Sequence, residues 1–223
     1  MTIRLALFPS KHPSAALLFV QILGILIYPL MEETSAERAL FGVIGLLVLG
    51  ASLYVVKRGP WLTGFAVVLA LPVVVLSIWL AFEFDPRIML GLAALEAVFY
   101  LYAAGSLIAY MLEDEFASVD ELFAAGATFT LLVWAFAYTY LACEAVAPGS
   151  FTAPINPQGP RTWMELMFLS IAVLSGVGLS DILPVTPFAR ALVMLEAFSG
   201  VMYLAVVVSR LVALTMLAAK ERK

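Results

Sequence analysis

Long apolar stretches separated by short polar breaks run through the whole chain, and that pattern admits few folds. A helix crossing a membrane needs about 20 apolar residues, each adding about 1.5 Å along the axis. Five stretches meet this requirement, approximately residues 14–31, 39–56, 61–82, 88–112 and 122–147, and a sixth runs from about 187 to 219. Between the last two lies an apolar stretch at 163–175, too short to span and followed by glycines. This is the profile of a helix that enters the membrane and turns back, which is tolerated at membrane depth only where protein surrounds it. The residues are 64% hydrophobic and 13% charged, with a mean hydropathy of +1.05. The expectation is an all-α membrane protein with six transmembrane helices and a re-entrant helix and loop between the fifth and sixth.

Local signals mark several helix starts. Thr34 with Glu37, Ser118 with Glu121, and Thr162 with Glu165 have the spacing of a reciprocal capping box. Thr186 followed by Pro187 predicts a fourth start, with threonine as N-cap and proline at the first helical position, where its missing N–H costs nothing. Pro72 lies inside the third stretch and predicts a packing kink. With six spans, one side of the membrane holds Arg4, Lys11, Lys57, Arg58, Arg210, Lys220, Arg222 and Lys223, and the other Arg38, Arg87, Arg161 and Arg190. By the positive-inside rule both termini are cytoplasmic.

Composition also excludes functions. One cysteine, Cys143, and one histidine, His12, leave too few ligands for a disulfide framework, a structural zinc site or an iron–sulfur cluster. The cations are scattered at segment ends in a chain of net charge -4, which excludes a nucleic-acid partner. No carboxylate pair with a basic partner and no nucleophile beside a histidine is visible, so an enzyme is not expected.

After the short apolar stretch the chain reads Ser175-Gly176-Val177-Gly178-Leu179-Ser180-Asp181-Ile182-Leu183-Pro184-Val185-Thr186. This resembles the pore loop of the potassium-channel superfamily, Thr-Val-Gly-Tyr-Gly-Asp followed by an apolar pair, proline and often Val-Thr. The resemblance runs without a gap from about Thr162 to Leu214. It places Arg190 over a common family arginine and Gly200 over the inner-helix gating glycine. It implies a voltage-gated-like, six-helix channel: a four-helix sensor-like domain at 1–112, a linker at 113–121 and a pore domain at 122–223. It also implies a homotetramer, because one loop supplies one wall of a pore. Backbone carbonyls of Gly176, Val177, Gly178 and Leu179 would then hold a monovalent cation, potassium or sodium, as the permeant species, with no further cofactor. Asp181 adds negative charge just outside.

Three departures fall on the parts that select. Gly176 stands where the family has a threonine whose hydroxyl lines the innermost ion site. Leu179 stands for the tyrosine that is braced by the pore helix, and the facing positions, Phe168 and Leu169, are apolar as well. Ser180 stands for a glycine, and a side chain at positive φ costs about 1–2 kcal/mol. Thr162 and Glu165 support the loop as the cap of the pore helix. The resemblance thus implies a cation channel of weak selectivity, with a non-conducting structural or regulatory membrane subunit of the same fold as the alternative.

Residues 88–112 contain Glu96 as their one charge and no row of arginines, so a conventional voltage sensor is not expected. A protonated Glu96 hydrogen-bonded to a local donor is the plain reading, with Tyr100, Tyr102 and Tyr110 as candidates. Glu196, well inside the last helix, reads either as a gating carboxylate or as a hydrogen bond to a neighbouring or pore helix. Gly200 reads as a hinge or as a point of close helix packing. The expected surroundings are the lipid of the cell membrane and, for gating, lipid, tension, pH or an added regulatory subunit.

Overall fold

The computed structural model describes residues 12–28, 35–56, 63–83, 85–113 and 119–221. Seven helices run through them: α1 (Pro13–Ile27), α2 (Ser35–Val56), α3 (Thr63–Phe82), α4 (Pro86–Glu113), α5 (Val119–Val146), α6 (Trp163–Leu174) and α7 (Pro187–Glu221). Two short strands, β1 (Phe151–Thr152) and β2 (Leu183–Pro184), pair antiparallel, Phe151 opposite Pro184 and Thr152 opposite Leu183. Pro72 lies inside α3. Thr34 and Ser118 lie outside the described residues, and so do the capping boxes expected at them.

Apart from that ribbon and the connecting loops, the described residues are helical. Among the described residues three helical stretches are long and apolar enough to cross a membrane: Pro86–Leu112, Val119–Val146 and Pro187–Val207. The apolar helices Pro13–Ile27, Gly45–Val55, Gly64–Leu80 and Trp163–Leu174 are shorter. Three of the six stretches expected to span, those at 88–112, 122–147 and 187–219, are thus long and apolar enough among the described residues.

The core forms around α5, whose residues Leu131 to Tyr138 are all buried. α4 packs along it antiparallel, with Tyr100 stacked on Tyr138 (5.8 Å between ring centroids) and edge-on to Trp134 (5.7 Å). α6 closes the same aromatic cluster, where Trp163 lies 5.0 Å from Trp134 and 5.8 Å from Tyr138. Tyr28, just after α1, reaches Trp163 at 5.5 Å. Rings in such tilted or edge-on pairs contribute beyond the area they bury.

α1 runs parallel to α5 and is tied to it at three levels. The Asp120 carboxylate accepts from the Ser14 N–H (Oδ1, 3.2 Å) and the Ser14 hydroxyl (Oδ2, 3.0 Å), so α5 supplies an anionic cap to the first turn of α1. One level on, Gly126 leaves room for Leu18, whose Cδ2 would lie 2.9 Å from a Cβ at that position. Beyond it the Gln21 amide donates to the Ala127 carbonyl (3.4 Å). We expect D120A to lower the unfolding free energy in detergent by about 1–2 kcal/mol, with D120N losing less because it keeps one acceptor. Equal losses would mean that the cap contributes nothing.

Candidate functional site

The site is built where α5, α6 and α7 meet. α6 starts on a complete capping box: Thr162 Oγ1 accepts from the Glu165 N–H (3.3 Å) and the Glu165 carboxylate accepts from the Thr162 N–H (2.6 Å). Glu165 has a second partner, Arg161, at 3.1 Å. Arg161 is buried, and its Nη2 also donates to the carbonyls of Asn156 (2.5 Å) and Gly159 (2.7 Å). The loop before α6 is thus folded around one guanidinium group, which satisfies three carbonyl and carboxylate acceptors at once.

α6 ends at Leu174 with Ser175 as its C-cap, and the chain then reverses on two glycines at positive φ, Gly176 (+74°) and Gly178 (+71°). Gly176 N–H donates to Val173 O (3.0 Å) and Gly178 N–H to Ala172 O (2.8 Å), which satisfies carbonyls that the helix end would otherwise leave open. Both glycines are therefore required by backbone conformation, since side chains are disfavoured there. Ser180 is not at positive φ, so it avoids that strain. Its hydroxyl accepts from the Ile182 N–H (3.1 Å), while its own N–H donates to the Gly178 carbonyl (3.1 Å).

From Gly176 to Leu179 the loop is exposed on the single chain, Val177 at 64% and Leu179 at 75%. Asp181 is exposed as well. Leu169 is buried but Phe168 is 48% exposed, so within one chain Leu179 is not packed into place behind the loop by these two. The β1–β2 ribbon brackets α6 and the loop, helped by the Val185 N–H donating to Ser150 O (2.9 Å) and the Thr186 hydroxyl to Ser150 Oγ (3.2 Å). Thr186 also caps α7, accepting from the Ala189 N–H (3.3 Å), and Arg190 Nε donates to Pro184 O (3.2 Å).

Behind the loop, α7 meets α6 at two levels. Glu196 is fully buried; its Oε2 accepts from the Tyr140 hydroxyl of α5, and its Oε1 is in hydrogen-bond contact with Ser170 Oγ of α6. Ser170 Oγ also donates to the Val133 carbonyl (3.0 Å). One turn further along each helix, Gly200 lies against Leu174, where a Cβ would come within 2.2 Å of the Leu174 carbonyl oxygen. Glycine is thus needed at 200 for close approach of backbone to backbone, whatever bending it also permits. Glu96 is also buried, and its hydrogen bond comes from Tyr138 of α5. The tyrosine one turn along its own helix, Tyr100, leaves its hydroxyl without a partner among the described residues.

Residues 126–216 match the family model described as ion channel. This part of the chain is similar to the ion-channel domains of the potassium-channel superfamily. No curated protein and no solved structure matches the chain. The matched stretch begins inside α5 and reaches into α7, so it contains α6, the glycine loop and the contacts of Glu196 to Tyr140 and Ser170. Together with the apolar helices, the match supports a membrane protein.

Sequence reasoning missed Tyr140, Ser170, Glu144 and the role of Arg161. Glu144, near the end of α5, accepts from the N–H groups of Gly149 (2.9 Å) and Phe151 (3.1 Å) and so starts the ribbon. Ser170 is the single hydroxyl in the otherwise apolar run of α6 after Glu165, a signal that was available. We expect G200A to lower stability by about 1–3 kcal/mol, because the clash is with backbone that cannot rotate away. Thermal unfolding of G200A at the parent temperature would refute this close contact.

Proposed function

We propose that the channel domain assembles four copies around the loop 175–181 and conducts monovalent cations, potassium or sodium, with weak selectivity. The observation that carries this reading is the run Gly176–Leu179, held at the C-terminus of α6 by two positive-φ glycines and left exposed on the single chain. An exposed, precisely turned loop at the end of an apolar helix has to be covered by protein if it lies at membrane depth, and further copies of the same loop supply that cover. The negative end of α6 and the Asp181 carboxylate favour a cation there. Apolar side chains along α7, including Met194, Leu195, Phe198 and Val201, are exposed on the single chain and suit an inner helix packed against other copies.

Weak selectivity is supported by the loop's own bonding. In a carbonyl-lined filter the carbonyls replace an ion's hydration shell, whereas here the Gly178 carbonyl accepts from the Ser180 N–H. Leu179 has no hydroxyl with which to brace the loop. In this reading α1 to α5 and α7 make six spans, α6 is the re-entrant pore helix, and both termini are cytoplasmic in the cell membrane. α4 carries no arginine row, so gating is not by a conventional voltage sensor. The engaged Gly178 carbonyl also favours a second reading, a non-conducting subunit of the same fold.

Purified protein in liposomes under potassium, sodium and chloride gradients tests the proposal. Flux of both cations without chloride, abolished or strongly altered in G178A, is the expected result. That substitution has open space for its Cβ and costs about 1–2 kcal/mol of backbone strain alone. Strict potassium selectivity overturns weak selectivity, and absence of flux under every gradient favours the non-conducting subunit.

A further inference from the structure

The contacts around Glu196 can be counted in protons. Three oxygen–oxygen contacts run in series: Tyr140 Oη to Glu196 Oε2, Glu196 Oε1 to Ser170 Oγ, and Ser170 Oγ to the Val133 carbonyl. Each needs one proton between its two oxygens. The Val133 carbonyl has none to give, so when the single Ser170 proton serves that contact none is left for Glu196 Oε1. The Tyr140 proton serves Oε2. The middle contact is then left without a proton unless the Glu196 carboxyl supplies it.

With an ionised carboxylate, two protons would have to serve three contacts. Glu196, Tyr140 and Ser170 are all fully buried, so bulk water does not make up the difference. No cation is bonded to Glu196 among the described residues: Arg190 is turned to the Pro184 carbonyl and Arg161 to Glu165. An unpaired carboxylate at such depth is expensive, whereas a carboxylic acid that both accepts and donates leaves no partner unmatched.

We infer that Glu196 is a neutral carboxylic acid that donates its proton to Ser170, closing a chain Tyr140–Glu196–Ser170–Val133 that fixes the pore helix between the outer and inner helices. Glu196 is a positioning residue. It holds α6 one turn before the Gly200–Leu174 contact, and Leu174 immediately precedes the loop that starts at Ser175. A shift of α7 is therefore transmitted to the loop through a hydrogen bond and a backbone contact one helical turn apart. The role in setting the loop rests on the channel reading; the protonation state does not.

The experiment uses the purified full chain in lipid at neutral pH. The infrared difference spectrum of parent minus E196Q should show a protonated-carboxyl C=O stretch that shifts in D2O; a carboxylate antisymmetric stretch in its place overturns the inference. Glutamine can accept from Tyr140 and donate to Ser170 in the same direction, so E196Q should match the parent in thermal unfolding and in potassium-to-sodium flux ratio. S170A and E196A should each lower the folded-to-unfolded ratio about tenfold, the scale of one buried hydrogen bond, and both should change the flux ratio. An E196Q that unfolds, or is as damaged as E196A, shows that the negative charge was needed and overturns the inference. The spectrum needs no flux, so a chain that proves not to conduct leaves the proton assignment decided on its own.

Discussion

A carboxyl group taken out of water must find donors or acceptors, and that requirement organises this protein around one helix. Every buried acid among the described residues, Glu96, Asp120, Glu121, Glu144 and Glu196, either lies on α5 or is hydrogen-bonded by it. The penalty for leaving such a group unmatched is several kcal/mol, larger than most single packing contacts. Satisfying it therefore fixes which helix faces which. Asp120 places α1, Tyr138 places α4 through Glu96, Glu144 starts the ribbon, and Tyr140 places α7 through Glu196. Apolar surface alone would drive the helices together with little preference for register, because lipid is as apolar as a leucine.

The loop at 175–181 depends on this frame from three sides. α6 is fixed at its start by the Thr162–Glu165 box and Arg161, along its length by Ser170, and at its end by Gly200. The β1–β2 ribbon closes the fourth side, so the segment before α6 and the segment after the loop are joined. What is left exposed within one chain is the outward face of Gly176 to Leu179.

Much of this was legible in the sequence where the signal is local. The apolar runs located the helices, Thr186-Pro187 marked the start of α7, and Thr162 with Glu165 marked that of α6. The two glycines announced positive φ because few other residues adopt it. Partners across the fold were not legible. Glu96 has three tyrosines on its own helix, yet its donor is Tyr138 of the next one, since the facing side of a neighbouring helix is decided by packing.

The sequence by itself determined a helical membrane protein, the turn chemistry of the glycine loop, and the presence of carboxyl groups that a membrane interior would not tolerate alone. Each of these is a property of a residue or of its near neighbours in the chain. Only the tertiary structure decided which hydroxyl meets which carboxyl, that Gly200 is demanded by the Leu174 carbonyl, and that Gly176 to Leu179 face outward. Those outcomes depend on the approach of helices tens of residues apart, where hydrogen-bond matching and backbone clearance select one register that no local pattern encodes.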